Sequence, residues 1–438
     1  MLDIKFIREN QEKLKEAILN KGIDLDLDYL LSIDRDRVAL AQEIEARRAE
    51  RKHLSEMGRN LTDVEQKEIS TKGKMIRNEI ARLETDFREV KRRLDGFMAR
   101  VPNIPSPDTP IGKNSDENPE IFHFGEILKF DFTPKNHIEI AKDLDLIDFE
   151  RGVKVGGYRG YYLKNEGVML VLGVMMYAMQ KLMSKGYLPM IPPTLVKEFA
   201  LFGSGYFKDI EYNPEIDEIY QIANFEKNHL GEKNKENKFL VGTAEPSLLA
   251  YYSGEVLKKE NLPLKLCGFS QCYRSEIGSY GKDTKGIYRV HEFMKVEQVV
   301  IAPDDVELSN KIQDEMIQIS KELHEDLKIP YRIVQICTGD MSPGKYRAFD
   351  IEAWLPGMNR FGETGSASNF LDWQSRRLDV KYTDGRDKKH VYLLNNTALA
   401  SPRTLIAILE NYQQKDGSLV VPEVLRGYVG KEVIKKKE

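Results

Sequence analysis

The 438-residue chain is poor in cysteine and tryptophan, and it has no long apolar run. Three cysteines, Cys267, Cys272 and Cys337, cannot staple a chain of this length, so a disulfide scaffold is excluded. The spacing of Cys267 and Cys272 matches no zinc motif, and all three are expected as inert core thiols. An excess of one charge sign is also missing. Lys+Arg number 66 against 70 Asp+Glu, giving a net charge of -4. This excludes a globally basic nucleic-acid coat, but not a local basic surface. The longest apolar run, Val168 to Met179, falls short of the ~20 residues of a spanning helix and reads as a buried core helix. Met1 to Asn20 carries Asp3, Glu9, Glu12 and Glu16, unlike a signal or transit peptide. A cytoplasmic protein with no membrane partner is expected. No dinucleotide or P-loop glycine motif sits where a strand would feed a helix. With 41% hydrophobic residues the chain is too apolar for intrinsic disorder.

What is present falls into two unlike parts. Residues 102–119 hold five prolines (at 102, 105, 107, 110 and 119) among Asn, Asp, Ser and Gly, a composition that forbids a helix and reads as a linker. Residues 1–101 before it form one expected domain, and residues 120–438 the other.

The first part is helical. Ile69, Ile76, Ile80, Leu83, Phe87, Val90, Leu94 and Phe97 trace a heptad seam. Leu30, Ile33, Arg37, Leu40, Ile44, Arg47, Arg51, Leu54 and Leu61 trace another. Gly58-Arg59-Asn60 is a turn, with Thr62 or Asp63 as the next cap. Two helices of about 30 residues, roughly 45 Å each, therefore fold back as an antiparallel coiled coil. Residues 1–25 add a short amphipathic helix. Arg35 to Arg100 holds 17 basic and 13 acidic residues. That pattern fits a solvated coiled-coil surface. It also fits a polyanion-binding arm that puts Arg47, Arg48, Arg51, Lys52, Lys91, Arg92 and Arg93 near phosphates. Arginine in a seam tilts the reading toward the arm.

The second part mixes strands and helices. Strands are predicted at Lys238 to Gly242, Lys265 to Glu276, His291 to Ala302, Tyr331 to Thr338, Ala348 to Leu355 and Lys389 to Asn396. Helices are predicted at Asp304 to Lys328 and Pro402 to Gln414. Consecutive strands without room for a helix between them imply an antiparallel pair. The predicted class is α+β: a mostly antiparallel sheet flanked by helices, behind a coiled-coil arm.

Residues 273–297 carry the densest chemistry. On alternating positions, Arg274 and Glu276 share one face, as do Arg289, His291, Phe293, Lys295 and Glu297. An arginine there can grip a phosphate, an aromatic ring can stack a base, and a carboxylate can hold an amine. A structural salt-bridge face is the alternative. The loop between the strands, with Gly278, Gly281, Gly286, Lys282, Asp283 and Lys285, is polar. Asp350 and Glu352 alternate on one strand and read as ion-pair support. His291 reads as a hydrogen-bonding residue without a nucleophile partner.

This segment closely resembles motif 2 of class II aminoacyl-tRNA synthetases, in the seryl form. Lys185-Gly186-Tyr187 through Pro192-Pro193 resembles motif 1, the family's dimer interface. Thr243-Ala244-Glu245 resembles the TxE loop, and Glu363-Thr364-Gly365-Ser366-Ala367-Ser368-Asn369 the ExxSxSN segment. Asn396-Thr397 through Arg403, with the helix beyond, resembles motif 3. The N-terminal hairpin matches the family's tRNA-binding arm. The resemblance runs in order over essentially the whole chain.

It implies ATP-dependent ligation of L-serine to serine-accepting tRNA through a seryl-adenylate. Arg274 and Arg403 would be the catalytic pair, on the α- and γ-phosphates. Thr243, Ala244, Glu245, Arg274, Glu297 and Thr397 would bind serine. Arg274, Ser275, Glu276, Val290, Phe293, Glu363, Thr364, Gly365, Ser366 and Arg403 would bind ATP. Glu363 and Ser366 would ligate Mg²⁺. The implied partners are tRNA(Ser), L-serine, ATP and a second copy in a homodimer; tRNA(Sec) is a further candidate acceptor. Departures from the pattern are Glu292 in place of Gln, Thr397 in place of Ser, Phe202 to Tyr206 in place of a G-T-G-Q run, and Ser401-Pro402 before Arg403. Two other classes stay open: a paralogue that charges a carrier protein, and a coiled-coil scaffold with a degenerate nucleotide site.

Overall fold

The computed structural model describes residues 1–57, 62–207, 209–223, 227, 231–232, 236–277 and 285–436, with only the backbone of Met57 and Asp63. The expected turn at 58–60, Leu61 of the seam, and Gly278, Gly281, Lys282 and Asp283 of the polar loop lie outside the described residues.

The N-terminal part opens with two short helices, α1 (Ile4–Glu9) and α2 (Gln11–Asn20), where one was expected. The long hairpin follows as α3 (Leu27–Met57) and α4 (Asp63–Arg100). At the start of α4, Glu65 reaches back to accept from the Thr62 amide at 2.9 Å. Ile44, Ile76, Ile80 and Leu94 of the seams are buried. Of the seam arginines, Arg47 crosses the hairpin, Arg37 pairs within α3 and Arg51 is exposed. Arg37 pairs with Asp34 at 2.8 Å and Arg47 with Glu79 of α4 at 3.2 Å.

The base of the arm is continuous with the body. Leu14, Leu30, Leu94 and Met98 share one apolar cluster with Phe370 and Trp373. Residues 102–119 hold no helix or strand except a short 3₁₀ turn (Ser115–Glu117), and they lie along the body. The Asn103 and Ser106 amides donate to Pro343 O and Tyr346 O, each at 2.8 Å, and the Thr338 amide donates to Pro110 O at 2.9 Å.

The body is built on an eight-stranded sheet of β1 (Glu120–Phe124), β2 (Leu188–Met190), β3 (Leu264–Tyr273), β4 (Glu292–Ala302), β5 (Tyr331–Gln335), β6 (Arg347–Leu355), β7 (Arg360–Asn369) and β8 (Tyr392–Ala400). Their spatial order is β1-β5-β6-β7-β8-β4-β3-β2. Every pairing is antiparallel except β2 with β3. Helices α5 (Glu166–Ser184), α6 (Val306–Asp326) and α8 (Ser401–Asn411) pack on the sheet. The smaller helix α7 (Trp373–Leu378) lies between β7 and β8 in the chain. The apolar helix α5 is long and apolar enough to cross a membrane by length and composition, yet it buries Leu170, Val174, Met175, Ala178 and Leu182 in the core.

Three differences from the sequence-based expectation concern the site. The strand expected to reach Glu276 ends at Tyr273, because Glu276 adopts a left-handed backbone with φ 54°. The next strand starts at Glu292, so Arg289 and His291 approach from a loop. The segment 360–369 is a central strand. Its glycines, which lower strand propensity, are required by close packing. A Cβ on Gly362 would meet Leu355 Cδ1 at 2.7 Å, and one on Gly365 would meet Thr397 O at 3.0 Å.

Candidate active site

Strand β4 carries Phe293, Lys295 and Glu297 on alternate positions, and their side chains line two adjoining cavities. The first, of about 480 Å³, holds Glu245, Lys295, Glu297, Asn395 and Thr397, and the arm base closes it with Ile23, Ala99 and Arg100. Glu297 is its hub. One carboxylate oxygen takes Lys295 Nζ at 2.6 Å, Thr243 Oγ1 at 3.2 Å and Thr397 Oγ1 at 3.3 Å. Glu245 accepts from Gln374 Nε2 at 2.7 Å, Asn395 Nδ2 at 2.8 Å and the Tyr206 hydroxyl at 3.0 Å. Burial, aided by the nearby Glu297 carboxylate, pushes Glu245 up to about 7 despite these donors. Two buried carboxylates facing one small cavity suit a cationic, hydroxyl-bearing ligand.

The second cavity is a cleft lined by Arg274, Glu276, Tyr288, Val290, Phe293, Glu363 and Arg403. The Arg274 guanidinium stands 5.5 Å from the Phe293 ring centroid, and its side chain takes no hydrogen-bond partner among the described residues. Glu276 is held between Arg289 at 3.2 Å and Arg159 at 3.5 Å. Arg403 sits in the first turn of α8, donates to Glu363 Oε2 at 3.0 Å and stacks on Tyr288 at 4.5 Å. Burial alone would raise the Glu363 carboxyl, but the Arg403 and Arg274 guanidinium groups beside it hold it below its ordinary value. Next to it, Asp350 is pushed up to about 8 by burial and by the Glu363 charge, while the Ser366 hydroxyl hydrogen-bonds to it. Arginine donors, an aromatic floor and a carboxylate give this cleft the chemistry to take a polyphosphate and a base.

Comparison with known proteins agrees with this geometry. A serine–tRNA ligase from Treponema denticola is 40% identical over 436 residues, covering 98% of this chain and 99% of that protein. This chain belongs to the serine–tRNA ligase family. The seryl-tRNA synthetase N-terminal domain model matches residues 1–105, and the class II core domain model (G, H, P, S and T) matches residues 224–412. The family likeness extends to three dimensions. The seryl-tRNA synthetase of Pyrococcus horikoshii, complexed with ATP, superposes with a TM-score of 0.89 at 36% identity, covering 100% of both chains. The cytoplasmic serine–tRNA ligase of Naegleria fowleri, in complex with AMP, gives 0.86 at 31% identity over 100% of this chain and 99% of that one.

Against this family background, most of the residues singled out in the sequence meet at the two cavities. Ala244, Ser275 and Thr364 do not bring their side chains there, and Thr243 is buried behind the first cavity, reaching it only through its bond to Glu297. Ala244 packs against Gly268 in an apolar cluster, and the Ser275 hydroxyl is buried without a partner among the described residues. Thr364 and Gly365 line the cleft, but the Thr364 hydroxyl is turned to His324 Nε2 at 2.8 Å. His291 leaves the face predicted for it. Its Nδ1 lies 2.9 Å from Arg274 O, and its ring lines a separate cavity with Tyr158. Glu352 is ion-paired with Arg332 at 2.7 Å, as its alternation implied, whereas Asp350 faces Glu363 and Ser366.

On the arm, Arg47 and Arg48 pair with Glu79 and Glu84 of α4 at 3.2 and 2.7 Å, Lys91 pairs with Asp95 at 2.9 Å, and Arg93 donates to the Tyr29 hydroxyl. Arg51, Lys52 and Arg92 are exposed without a charged partner among the described residues. Sequence reasoning missed Tyr206, Gln374 and Asn395, which hold Glu245. Asn395 carried a signal in its place beside Asn396-Thr397, and Tyr206 in closing the Phe202 to Tyr206 run that departs from the family pattern; Gln374 carried none.

Proposed function

We propose that the chain activates L-serine with ATP and transfers it to serine-accepting tRNA. A serine carboxylate oxygen attacks the α-phosphorus, pyrophosphate leaves, and the seryl-adenylate then passes its acyl group to the 3′-terminal adenosine. The observation that carries this is the junction of the two cavities, which share Arg274, Lys295, Glu363 and Thr397. An amino acid in one and a nucleotide in the other meet there. Arg274 would hold the α-phosphate, Phe293 would stack on adenine and Arg403 would hold the γ-phosphate, so that the rate comes from positioning and charge stabilisation. Glu297 and Glu245 suit the substrate ammonium and hydroxyl, and Thr243 and Thr397 complete the pocket. Alanine is rejected because it would leave those polar groups unpaired.

Glu363 and Ser366, with Asp350 adjacent, offer only oxygen donors. That set fits Mg²⁺, which takes one or two carboxylates plus substrate phosphates; when bound, the ion would neutralise phosphate charge. The hairpin is the proposed tRNA arm, with Arg51, Lys52 and Arg92 as its uncommitted cations, and tRNA(Sec) is a further candidate acceptor. We divide the chain into an arm domain (1–101), a linker (102–119) and a catalytic domain (120–438). Homodimerisation is supported by the exposed Met169, Leu172, Met176 and Met183 of α5, next to exposed Leu188 and Ile191 of the motif 1 segment. ATP–pyrophosphate exchange with each of the twenty amino acids tests the reading: exchange depends on serine, and strict dependence on another amino acid overturns it.

A further inference from the structure

We propose that Lys295 is a catalytic residue whose ammonium contacts both the carboxylate of the bound amino acid and the α-phosphate it attacks. The inference rests on the serine-activation reading and extends it to a side chain to which no role has been assigned so far. Lys295 lines both cavities, so its head group lies where the two substrates must touch. Its side chain is only 7% exposed, yet its ammonium has two partners for three hydrogens among the described residues. Nζ donates to Glu297 Oε2 at 2.6 Å and to Thr397 Oγ1 at 3.3 Å, and among the described residues its third hydrogen has no partner.

The charge balance of the cavity calls for such a group. Glu245 and Glu297 suit the ammonium of an amino acid, and the carboxylate of the same molecule needs a cation where the two cavities join; Arg100, Lys345 and Arg377 also line the first cavity, but only Arg274 and Lys295 line both. Arg274 is one cation at the junction, and Lys295 is the other. A lysine kept solely for packing would carry a desolvation cost that an apolar residue of similar length avoids.

The step balances without any change in protonation of Lys295. The carboxylate oxygen forms its bond to the α-phosphorus. The bond from that phosphorus to the bridging oxygen breaks, and pyrophosphate leaves with the electron pair. The lysine keeps its proton and donates to the non-bridging α-phosphate oxygen as charge gathers there. Before attack it holds the carboxylate in line.

The test compares wild type, K295M and K295R in serine-dependent ATP–pyrophosphate exchange, with L-serinamide as competitor. Serinamide keeps the ammonium and hydroxyl but lacks the carboxylate charge. K295M is expected to lose ~10²- to 10³-fold in kcat, as for a lost oxyanion donor, and K295R to regain part of it. K295M also loses at least ~10-fold of the preference for serine over serinamide, a readout that a merely structural role would not move. K295Q, which still hydrogen-bonds Glu297 and Thr397, carries the same expectation if K295M does not fold. An active wild type with a variant within about threefold of it, or an unchanged preference, overturns the lysine assignment alone. A wild type that does not exchange with serine overturns the reading beneath it as well.

Discussion

The arm and the catalytic cleft use the same kinds of ion pair in opposite surroundings. Arg47 and Glu79 meet across the hairpin at 3.2 Å with side chains 37% and 43% exposed; Lys295 and Glu297 meet at 2.6 Å with 7% and 3%. Water screens the first pair, and such pairs are worth about 0–1 kcal/mol. The second is buried, where removing one partner leaves a charge that costs about 3–5 kcal/mol. Charge on the arm is therefore exchangeable, and a mobile polyanion can take it over. Charge in the cleft is committed to fixed positions before any substrate arrives, which is what positioning a reaction requires.

This contrast predicts a ladder of effects. The largest lies in the cleft. Arg274→Ala removes a guanidinium with no other hydrogen-bond partner among the described residues, so serine-dependent exchange should fall at least ~10³-fold with little change in melting temperature. Loss of folding instead of activity would make Arg274 a structural residue.

A smaller effect is read through pH. Glu245 is pushed up to about 7 by burial, so below that pH the empty cavity holds a proton there. Serine brings an ammonium that favours the ionised form. Binding then expels the proton, and affinity rises ~10-fold per unit as pH climbs toward 7 and levels off above it. The measurement is the serine KM in exchange from pH 5.5 to 8.5. Glu245→Gln should flatten the profile, and a flat wild-type profile would show that Glu245 does not face the ammonium.

The smallest effect belongs to the arm. A double-mutant cycle of Arg47→Ala and Glu79→Ala, followed by denaturant unfolding, should give a coupling below about 1 kcal/mol. A coupling near that of a buried pair would erase the contrast.

The contrast was only partly legible in the sequence. Heptad spacing marked the hairpin because Ile76, Ile80 and Leu94 sit on one stripe of a long regular helix. It did not reveal that Leu94 and Met98 pack with Trp373, since long-range packing leaves no local period. Alternation placed Phe293, Lys295 and Glu297 correctly because β4 is regular there. It failed at Glu276, where a left-handed residue broke the strand, and at His291, which precedes it. Glu363–Asn369 was readable as a motif, but the strand Arg360–Asn369 that carries it was not, because Gly362 and Gly365 serve close packing rather than propensity. Gln374 gave no signal, since its contact with Glu245 exists only in the folded chain. Arg47 was readable as unusual in a seam, but Glu79, the acid opposite it, is far away in sequence.

The central claim is that chemistry resides in the body and acceptor recognition in the outer arm. Ile23, Ala99 and Arg100 line the amino-acid cavity, so a fair test must keep the arm base. Replacing Arg47 through Glu79 by a short turn does so, and it leaves Leu30, Leu94 and Met98 packed on Trp373. In this variant serine-dependent exchange should stay within ~2-fold of wild type, because the cut is distant from both cavities. Charging of serine-accepting tRNA should fall ~10²-fold or more as phosphate contacts are lost. Full charging by the shortened chain, or exchange lost together with charging, would contradict the account.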